Sequence, residues 1–200
     1  RYAGTAPDAG AYEYGSSPSG LTHGNLWVDT NGGSCTRSVN ITTYNDSNAC
    51  ESFAAACAKA QGGDVVLVRA GSYAGSKTAL NNCNPASTVT FAAVAGATPS
   101  TTSINVTNSS NLRFSGFYVD MSNNGNSTGG YLQCSSNITF HNIEWEGDHS
   151  QGTAYGDAIQ IWPKSSGEAC HNQNITYDSV YVHDLHTYVP AEDNHTDCLQ

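Results

Sequence analysis

The second half of the chain repeats one eleven-residue pattern three times: SSNLRFSGFYV at 109–119, SSNITFHNIEW at 135–145 and NQNITYDSVYV at 172–182. The asparagines that lead these copies, Asn111, Asn137 and Asn174, are 26 and 37 residues apart. Such spacings are typical of solenoids, in which repeats stack because one repeat cannot bury its apolar face alone. The pattern therefore predicts a stack of similar rungs.

Each rung consists of three short segments in which apolar and polar residues alternate, as in a β-strand with one buried face. The Asn-led copy is the second segment, and the others flank it. The first segments are 104–106, 132–134, 159–161 and 199–200, and the third segments are 117–119, 143–145 and 180–182. Because equivalent positions of consecutive rungs should lie side by side, the three asparagines are interpreted as a ladder of stacked amides rather than as catalytic residues.

The composition supports an all-β protein and excludes two kinds of interaction. Hydrophobic residues make up 38% of the 200 residues and charged residues only 12%, with β-forming residues placed between turn formers. Seven Lys plus Arg and a net charge of −10 argue against a nucleic-acid partner. No stretch is long and apolar enough to be predicted as a membrane span, and the start lacks the apolar core of a signal peptide.

Seven cysteines predict disulfides in a secreted protein, because they show neither Cys-x-x-Cys nor zinc-ligand spacing with histidine. Their pairing cannot be deduced from the sequence, and the odd count leaves one thiol free or paired outside it. Eight Asn-x-Ser/Thr sequons are also present. They are candidate glycosylation sites in a secreted chain, and those selected are Asn40, Asn105, Asn137 and Asn174.

The sequence divides into a tail at 1–15, a linker rich in turn formers at 16–25 and a main domain at 26–200. Ahead of the repeats, a strand is predicted at 25–30 (NLWVDT) and buried strands at 64–73 and 87–96.

One short helix is predicted between the first two strands of the main domain. Asn48 is its expected N-cap and Glu51 the capping-box partner. The pair Gly62-Gly63 is expected to end it.

Three segments near the start of the main domain carry a family resemblance: LWVDTNGG at 26–33, QGGDVVLVRAGSYAG at 61–75 and VTFAAVAGA at 89–97. With the predicted helix, they resemble the N-terminal capping segment of the pectate-lyase-like superfamily. The resemblance implies an all-β, right-handed parallel β-helix (a solenoid) with a short N-terminal capping helix. It also implies that a sugar polymer binds in a cleft over the sheet of first segments.

A second resemblance concerns the tail. GTAPDAGAYEYG at 4–15 is similar to the closing segment of bacterial surface-anchored β-helix proteins. Because the last residues, Leu199-Gln200, repeat the beginning of a rung, we expect the natural polypeptide to continue with further rungs.

Two consecutive loops between rungs are rich in acids and histidines: EGDHSQGTAYGD at 146–157 and HDLHTYVPAEDNHTD at 183–197. Both loops leave a third segment and enter a first segment, so they should lie on one edge of the stack. Asp157 and Asp197 occupy equivalent places, and adjacent strands would bring them roughly 5 Å apart. Such a pair suits general acid catalysis, a retaining glycosidase or calcium binding.

The candidate residues follow from this edge. The predicted catalytic residues are Asp157, His195 and Asp197, with His195 as a base or acid near neutral pH. The predicted ligands of a calcium ion are Asp148, Asp157 and Asp197. The predicted substrate-binding residues are Gln160, Trp162, Lys164, His186 and Gln200. Ordinary turns and solvated surface account better for any one of these side chains taken alone, and it is the cluster as a whole that indicates a functional edge.

Two hypotheses for the function remain open. The first is an extracellular lyase or glycoside hydrolase acting on an acidic polysaccharide, with calcium bridging two negatively charged partners. The alternative is a non-catalytic cell-surface protein, an adhesin or filament module, that self-associates or binds a surface glycan.

Overall fold

The computed structural model describes residues 21–121, 128–147, 157–162 and 170–183, and this part of the chain is mostly β. Its strands are β1 (Leu26–Val28), β2 (Val65–Val68), β3 (Ser72–Tyr73), β4 (Leu80–Asn81), β5 (Val89–Ala93), β6 (Ser100–Thr101), β7 (Ile104–Thr107), β8 (Ser110–Ser115), β9 (Tyr118–Asp120), β10 (Gly130–Gln133), β11 (Ser136–His141), β12 (Glu144–Glu146), β13 (Gln160–Trp162), β14 (Gln173–Asp178) and β15 (Tyr181–His183). Its helices are α1 (Phe53–Cys57) and α2 (Gly75–Thr78), and a 3-10 turn covers Asp46–Asn48.

The strands form three parallel sheets. Sheet A has the order β1-β2-β5-β8-β11-β14, sheet B the order β4-β7-β10-β13, and sheet C the order β3-β6-β9-β12-β15. From β2 to β15 the chain visits sheets A, C and B in turn and then returns to A. Each visit adds one parallel strand beside the strand of the previous circuit, so the prediction of a mostly β protein with parallel sheets is confirmed.

The interior of sheet A is an aromatic stack. Phe91, Phe114, Phe140 and Tyr177 lie at equivalent positions of four neighbouring strands, with ring centroids 5.7, 5.4 and 5.5 Å apart and nearly parallel planes. Phe53 of α1 continues the stack at 4.7 Å from Phe91. The strict alternation of strand residues puts these rings on the inner face, where burial and ring contacts stabilise each circuit on the next.

The asparagine ladder predicted from the repeats is present. Asn137 Nδ2 donates to Asn111 Oδ1 and Asn174 Nδ2 donates to Asn137 Oδ1, each at 2.9 Å. Asn111 Nδ2 donates to Pro85 O at 2.8 Å. All three asparagines have φ between 54° and 58°, a left-handed backbone that asparagine tolerates better than most residues.

The helix prediction is wrong at its beginning and its end. The N-cap of α1 is Ser52, whose hydroxyl accepts from Ala55 N, and not Asn48 with Glu51 as its capping partner. Residues around Cys50 cannot be helical, because Cys50 N donates to Trp27 O and the segment runs beside β1. The helix ends at Cys57, well before Gly62-Gly63.

Three disulfides join Cys35 to Cys50, Cys57 to Cys83 and Cys134 to Cys170. The first lies within the loop between β1 and α1, and the second joins the end of α1 to the residues after β4. The third joins the end of β10 to the segment before β14. The prediction that the cysteines form disulfides is confirmed, and the disulfides are compatible with a secreted protein. Cys198 lies outside the described residues.

An ion pair fixes the N-terminal loop to β2. The Arg37 guanidinium donates to both oxygens of the buried Asp64 carboxylate, at 2.6 and 2.7 Å, and Gln61 N donates to the same carboxylate at 2.7 Å. Burial by itself would raise the pKa of Asp64, but these hydrogen bonds outweigh it and lower the pKa below its ordinary value of 3.8.

Neither helix of the described segments is long and apolar enough to cross a membrane. The tail at 1–15 and the first half of the linker, 16–20, lie outside the described residues.

Candidate functional site

The corner where the chain leaves sheet C and enters sheet B differs from circuit to circuit. Only residues 102–103 connect β6 to β7, whereas residues 121–129 connect β9 to β10 and residues 147–159 connect β12 to β13. The two longer connections include the first of the two acid-rich loops. The strands that these connections join are neighbours in sheets C and B. The second acid-rich loop, 183–197, lies outside the described residues apart from His183, so its place on the same edge remains a prediction.

Two acids and a histidine lie side by side at this corner. Asp120, Glu146 and His183 are the last residues of β9, β12 and β15, and they are register partners across the sheet. We call these three residues the acid corner. Register partners on adjacent strands present their side chains on the same face about 4.8 Å apart. The entry to sheet B is close by, because the Trp145 indole of β12 donates to Gly129 O at 3.4 Å.

His183 also contacts the circuit before it. Its Nε2 lies 3.0 Å from Glu144 Oε1, and both side chains are 20% exposed. The Tyr181 ring stacks on the imidazole, with centroids 4.6 Å apart. A carboxylate partner and a stacked ring hold the imidazole in one orientation, which a histidine that transfers protons requires.

Asp157 is positioned as the support of an exposed tryptophan. It is buried, with 6% of its surface exposed, and pairs with Thr128 at the entry to sheet B. Its Oδ2 accepts from Gln160 Nε2 at 2.7 Å, and Gln160 Oε1 accepts from the Trp162 indole N–H at 2.7 Å. This carboxylate–amide–indole relay fixes the tryptophan although 53% of its surface is exposed. The geometry thus gives Asp157 an orienting role.

The outer face of sheet B combines amides with aromatic rings. Tyr131 is the register partner of Asn105 on one side and Gln160 on the other, and Gln133 is the partner of Trp162. We call these five residues the amide–aromatic face. Tyr131 is 36% exposed and lies diagonally across from Trp162, a separation of roughly 8 Å from strand spacing and rise.

Six predicted site residues lie outside the described part of the chain: Asp148, Lys164, His186, His195, Asp197 and Gln200. The structure brings Gln160 and Trp162 together with Asp157, and their catalytic and substrate-binding roles remain predictions. The pairing of Asp157 with Asp197 remains a prediction.

Calcium has no complete site among the described residues, which contain no group of three or more His, Cys, Asp or Glu side chains arranged to hold a metal ion. Of the three predicted ligands, only Asp157 is described, and one of its oxygens accepts from an amide. No step is therefore assigned to calcium.

The four candidate glycosylation sites have different surroundings. Asn40 is exposed. Asn105 Oδ1 accepts from Tyr131 N at 3.2 Å. Asn137 and Asn174 use Nδ2, the atom that would carry a glycan, as donors in the ladder. Glycosylation of the last two would compete with the ladder.

Sequence reasoning missed the acid corner, although a signal was present. Aligning the third segments as FYVD, IEWE and VYVH places Asp120, Glu146 and His183 in one column. Glu146 and His183 are the first residues of the two acid-rich loops, and the predicted site used residues further along those loops.

No protein-family model, no curated protein and no solved structure matches this chain. Its function therefore has to be argued from the arrangement of its own side chains.

Proposed function

We propose that this chain is a secreted right-handed parallel β-helix that binds a polysaccharide on the amide–aromatic face and cleaves it, as a lyase or a glycoside hydrolase, at the acid corner. The fold is supported by the fixed order in which the chain visits three parallel sheets and by the stacked interior. Secretion is supported by the three disulfides.

The observation that carries the proposal is the relay from Asp157 through Gln160 to Trp162. An exposed indole would ordinarily be free to rotate, but here two hydrogen bonds of 2.7 Å fix it beside the acid-rich edge. Preorganised aromatic surface lowers the entropic cost of binding, and amide groups next to it can pair with hydroxyl groups. A fixed ring with neighbouring amides suits a sugar polymer.

The chemistry would come from the acid corner. Asp120 and Glu146 are carboxylates on adjacent strands, at a spacing that suits either a retaining pair or one acid and one base. His183 adds an imidazole, which can serve as a general acid or a general base. A hydrolase would use the two carboxylates, and a lyase would need one of the three groups as the base that removes a proton from the sugar.

The experiment is a turnover assay with a panel of neutral and acidic polysaccharides, with calcium and with EDTA. Ultraviolet absorbance of unsaturated sugars reports a lyase, and new reducing ends without that absorbance report a hydrolase. Glu146→Gln is expected to lower turnover about 100-fold or more without changing the thermal midpoint, because one acid–base group is lost.

Asp178→Asn is the matched control. Asp178 is an exposed carboxylate paired with a histidine, His141, at 2.7 Å, but it lies on sheet A. Unchanged turnover is expected for this variant. Equal turnover of the wild type and Glu146→Gln would refute the assignment of the acid corner, and absence of product from every polymer would refute cleavage.

A non-catalytic surface module is the second candidate, and the ladders favour it. Asparagine amides and aromatic rings continue from circuit to circuit, and disulfides lock both ends of the described stack. Such regular reinforcement suits a durable exterior structure. Glycan binding or self-association of the folded protein without turnover would support this candidate.

A further inference from the structure

Sheet B differs from the other two sheets in its charge. No residue of the four strands β4, β7, β10 and β13 is charged. Sheet C, by contrast, has Asp120, Glu144 and Glu146 on its strands, and sheet A has Arg113 and Asp178. The amide–aromatic face is therefore an uncharged surface on a protein whose net charge is −10.

We propose that the amide–aromatic face binds a neutral polysaccharide, one whose sugars carry hydroxyl groups and no carboxylates. This inference rests on the proposed function, because it specifies the polymer for the same site. With a neutral polymer, cleavage at the acid corner is hydrolysis, since a lyase needs a uronic-acid carboxylate to acidify the proton that its base removes. A uronic-acid chain would bring carboxylates to described strands that offer no cation, in the field of an acidic protein. A neutral polysaccharide meets no such repulsion. The face therefore selects the neutral polymer because it repels the acidic one.

The hydrogen-bonding groups of the face suit hydroxyls better than carboxylates. The Gln133 amide, on the strand next to Trp162, offers both N–H donors and a carbonyl acceptor. The Tyr131 hydroxyl and the Thr107 hydroxyl, which are on the same outer face, can each donate and accept. Sugar hydroxyls also donate and accept, so they can satisfy every one of these groups. An ionised carboxylate only accepts and would leave the acceptors without partners.

The two aromatic rings define how the polymer would lie. Trp162 and Tyr131 are on adjacent strands and diagonal to each other, so the line joining them crosses sheet B obliquely. From β7 to β13 the face extends about 10 Å across the strands, which is longer than one sugar ring. A polymer can therefore contact both rings, whereas a single sugar contacts one.

The test is affinity gel electrophoresis of the purified, disulfide-bonded chain. The gels contain neutral probes (hydroxyethyl cellulose, galactomannan and xyloglucan) or acidic probes (polygalacturonate and alginate), at low and high salt and with EDTA. Retardation is expected in at least one neutral gel, unaffected by EDTA and only weakly affected by salt, because neither a bridging cation nor charge attraction takes part.

Variants of the two aromatic residues locate the binding surface. Trp162→Ala and Tyr131→Ala are each expected to weaken retardation about tenfold or more, as for aromatic anchors at the centre of an interface. Both side chains are exposed, so thermal midpoints should change little. Val39→Ala is the control for binding, because Val39 is an exposed apolar side chain in the loop between β1 and α1 and not on sheet B, and it should bind like the wild type.

Each other outcome counts against the inference in a different way. Retardation by acidic polymers alone would overturn the neutral ligand while leaving a polysaccharide function in place. Neutral binding that survives both aromatic substitutions would overturn the choice of face. If no polymer retards the folded chain, the inference and the proposed function fail together.

Discussion

The asparagine ladder provides the sharpest test of how the rungs are held together. Asn137 is the middle member: its Nδ2 donates to Asn111 and its Oδ1 accepts from Asn174, both at 2.9 Å. At about 0.5–1.5 kcal/mol for each hydrogen bond, the two bonds contribute about 1–3 kcal/mol. Asn137 also has φ 55°, which costs an alanine about 1–2 kcal/mol. Asn137→Ala should therefore destabilise the protein by about 2–5 kcal/mol.

Glycine separates the two contributions, because it adopts a left-handed backbone without strain. Asn137→Gly should lose the ladder bonds only. The matched control is Asn82, which is also exposed and left-handed, with φ 58°, but whose side chain makes no hydrogen bond to a described residue. Subtracting the effect of Asn82→Gly from that of Asn137→Gly removes the entropic effect of glycine and leaves about 1–3 kcal/mol for the ladder.

The assay is urea unfolding followed by circular dichroism, with protein from a host that does not glycosylate Asn137. The same difference can be checked by thermal unfolding. For a chain of this size each kcal/mol corresponds to a shift in thermal midpoint of roughly 2–4 °C. Equal unfolding free energies for Asn137→Gly and Asn82→Gly would show that the ladder adds no stability. Its regularity would then be a consequence of stacking and not a cause.

Three further predictions concern the interior, the N-terminal ion pair and the helix cap. Phe114→Ala, in the middle of the aromatic stack and fully buried, should cost about 3–5 kcal/mol in urea unfolding; a loss below about 1 kcal/mol would contradict a tightly packed interior. The lowered pKa of Asp64 means that its pairing with Arg37 stabilises the fold fully above the unfolded pKa, near 3.8, and that this stabilisation is lost as pH falls through the folded pKa. Asp64→Asn should therefore reduce the decline of stability in acid, and an unchanged pH profile of unfolding would contradict the pairing. Ser52→Ala should lower the free energy of unfolding by about 1 kcal/mol, and Asn48→Ala should lower it clearly less, as measured by thermal unfolding. A larger loss for Asn48→Ala than for Ser52→Ala would support Asn48 as the N-cap.

The features predicted correctly from the sequence are those that repeat. Alternation fixes which side of a strand is buried, and the same residue type at the same position of consecutive rungs predicts that the side chains meet. Both conditions hold for Asn111, Asn137 and Asn174, so their ladder could be predicted from the sequence alone. The disulfides were expected from cysteine content, but not their pairing, because Cys134 and Cys170 meet only through the stacking of circuits.

Features that occur once were predicted poorly. Asn48 and Ser52 both suit an N-cap, and only the pairing of the intervening Cys50 with β1 decides between them. Asp157 is an acid in an acid-rich loop by sequence, yet its carboxylate is buried and holds Gln160. Burial and hydrogen-bond direction depend on neighbouring circuits, and a single sequence does not specify them.

The variation between circuits supports the proposal that sheet B carries the binding surface. In the three repeats the corner from sheet A to sheet C is always two residues, 116–117, 142–143 and 179–180, and its first residue is always left-handed. The connections that vary flank sheet B: residues 121–129 and 147–159 precede its strands, and residues 163–172 follow one. Residues inserted at the A–C corner would disturb the aromatic stack next to it, whereas the connections that lead into sheet B can lengthen without displacing that stack. Sheet B thus combines a rigid, uncharged floor with adjustable borders, the combination that binding sites on regular scaffolds commonly use.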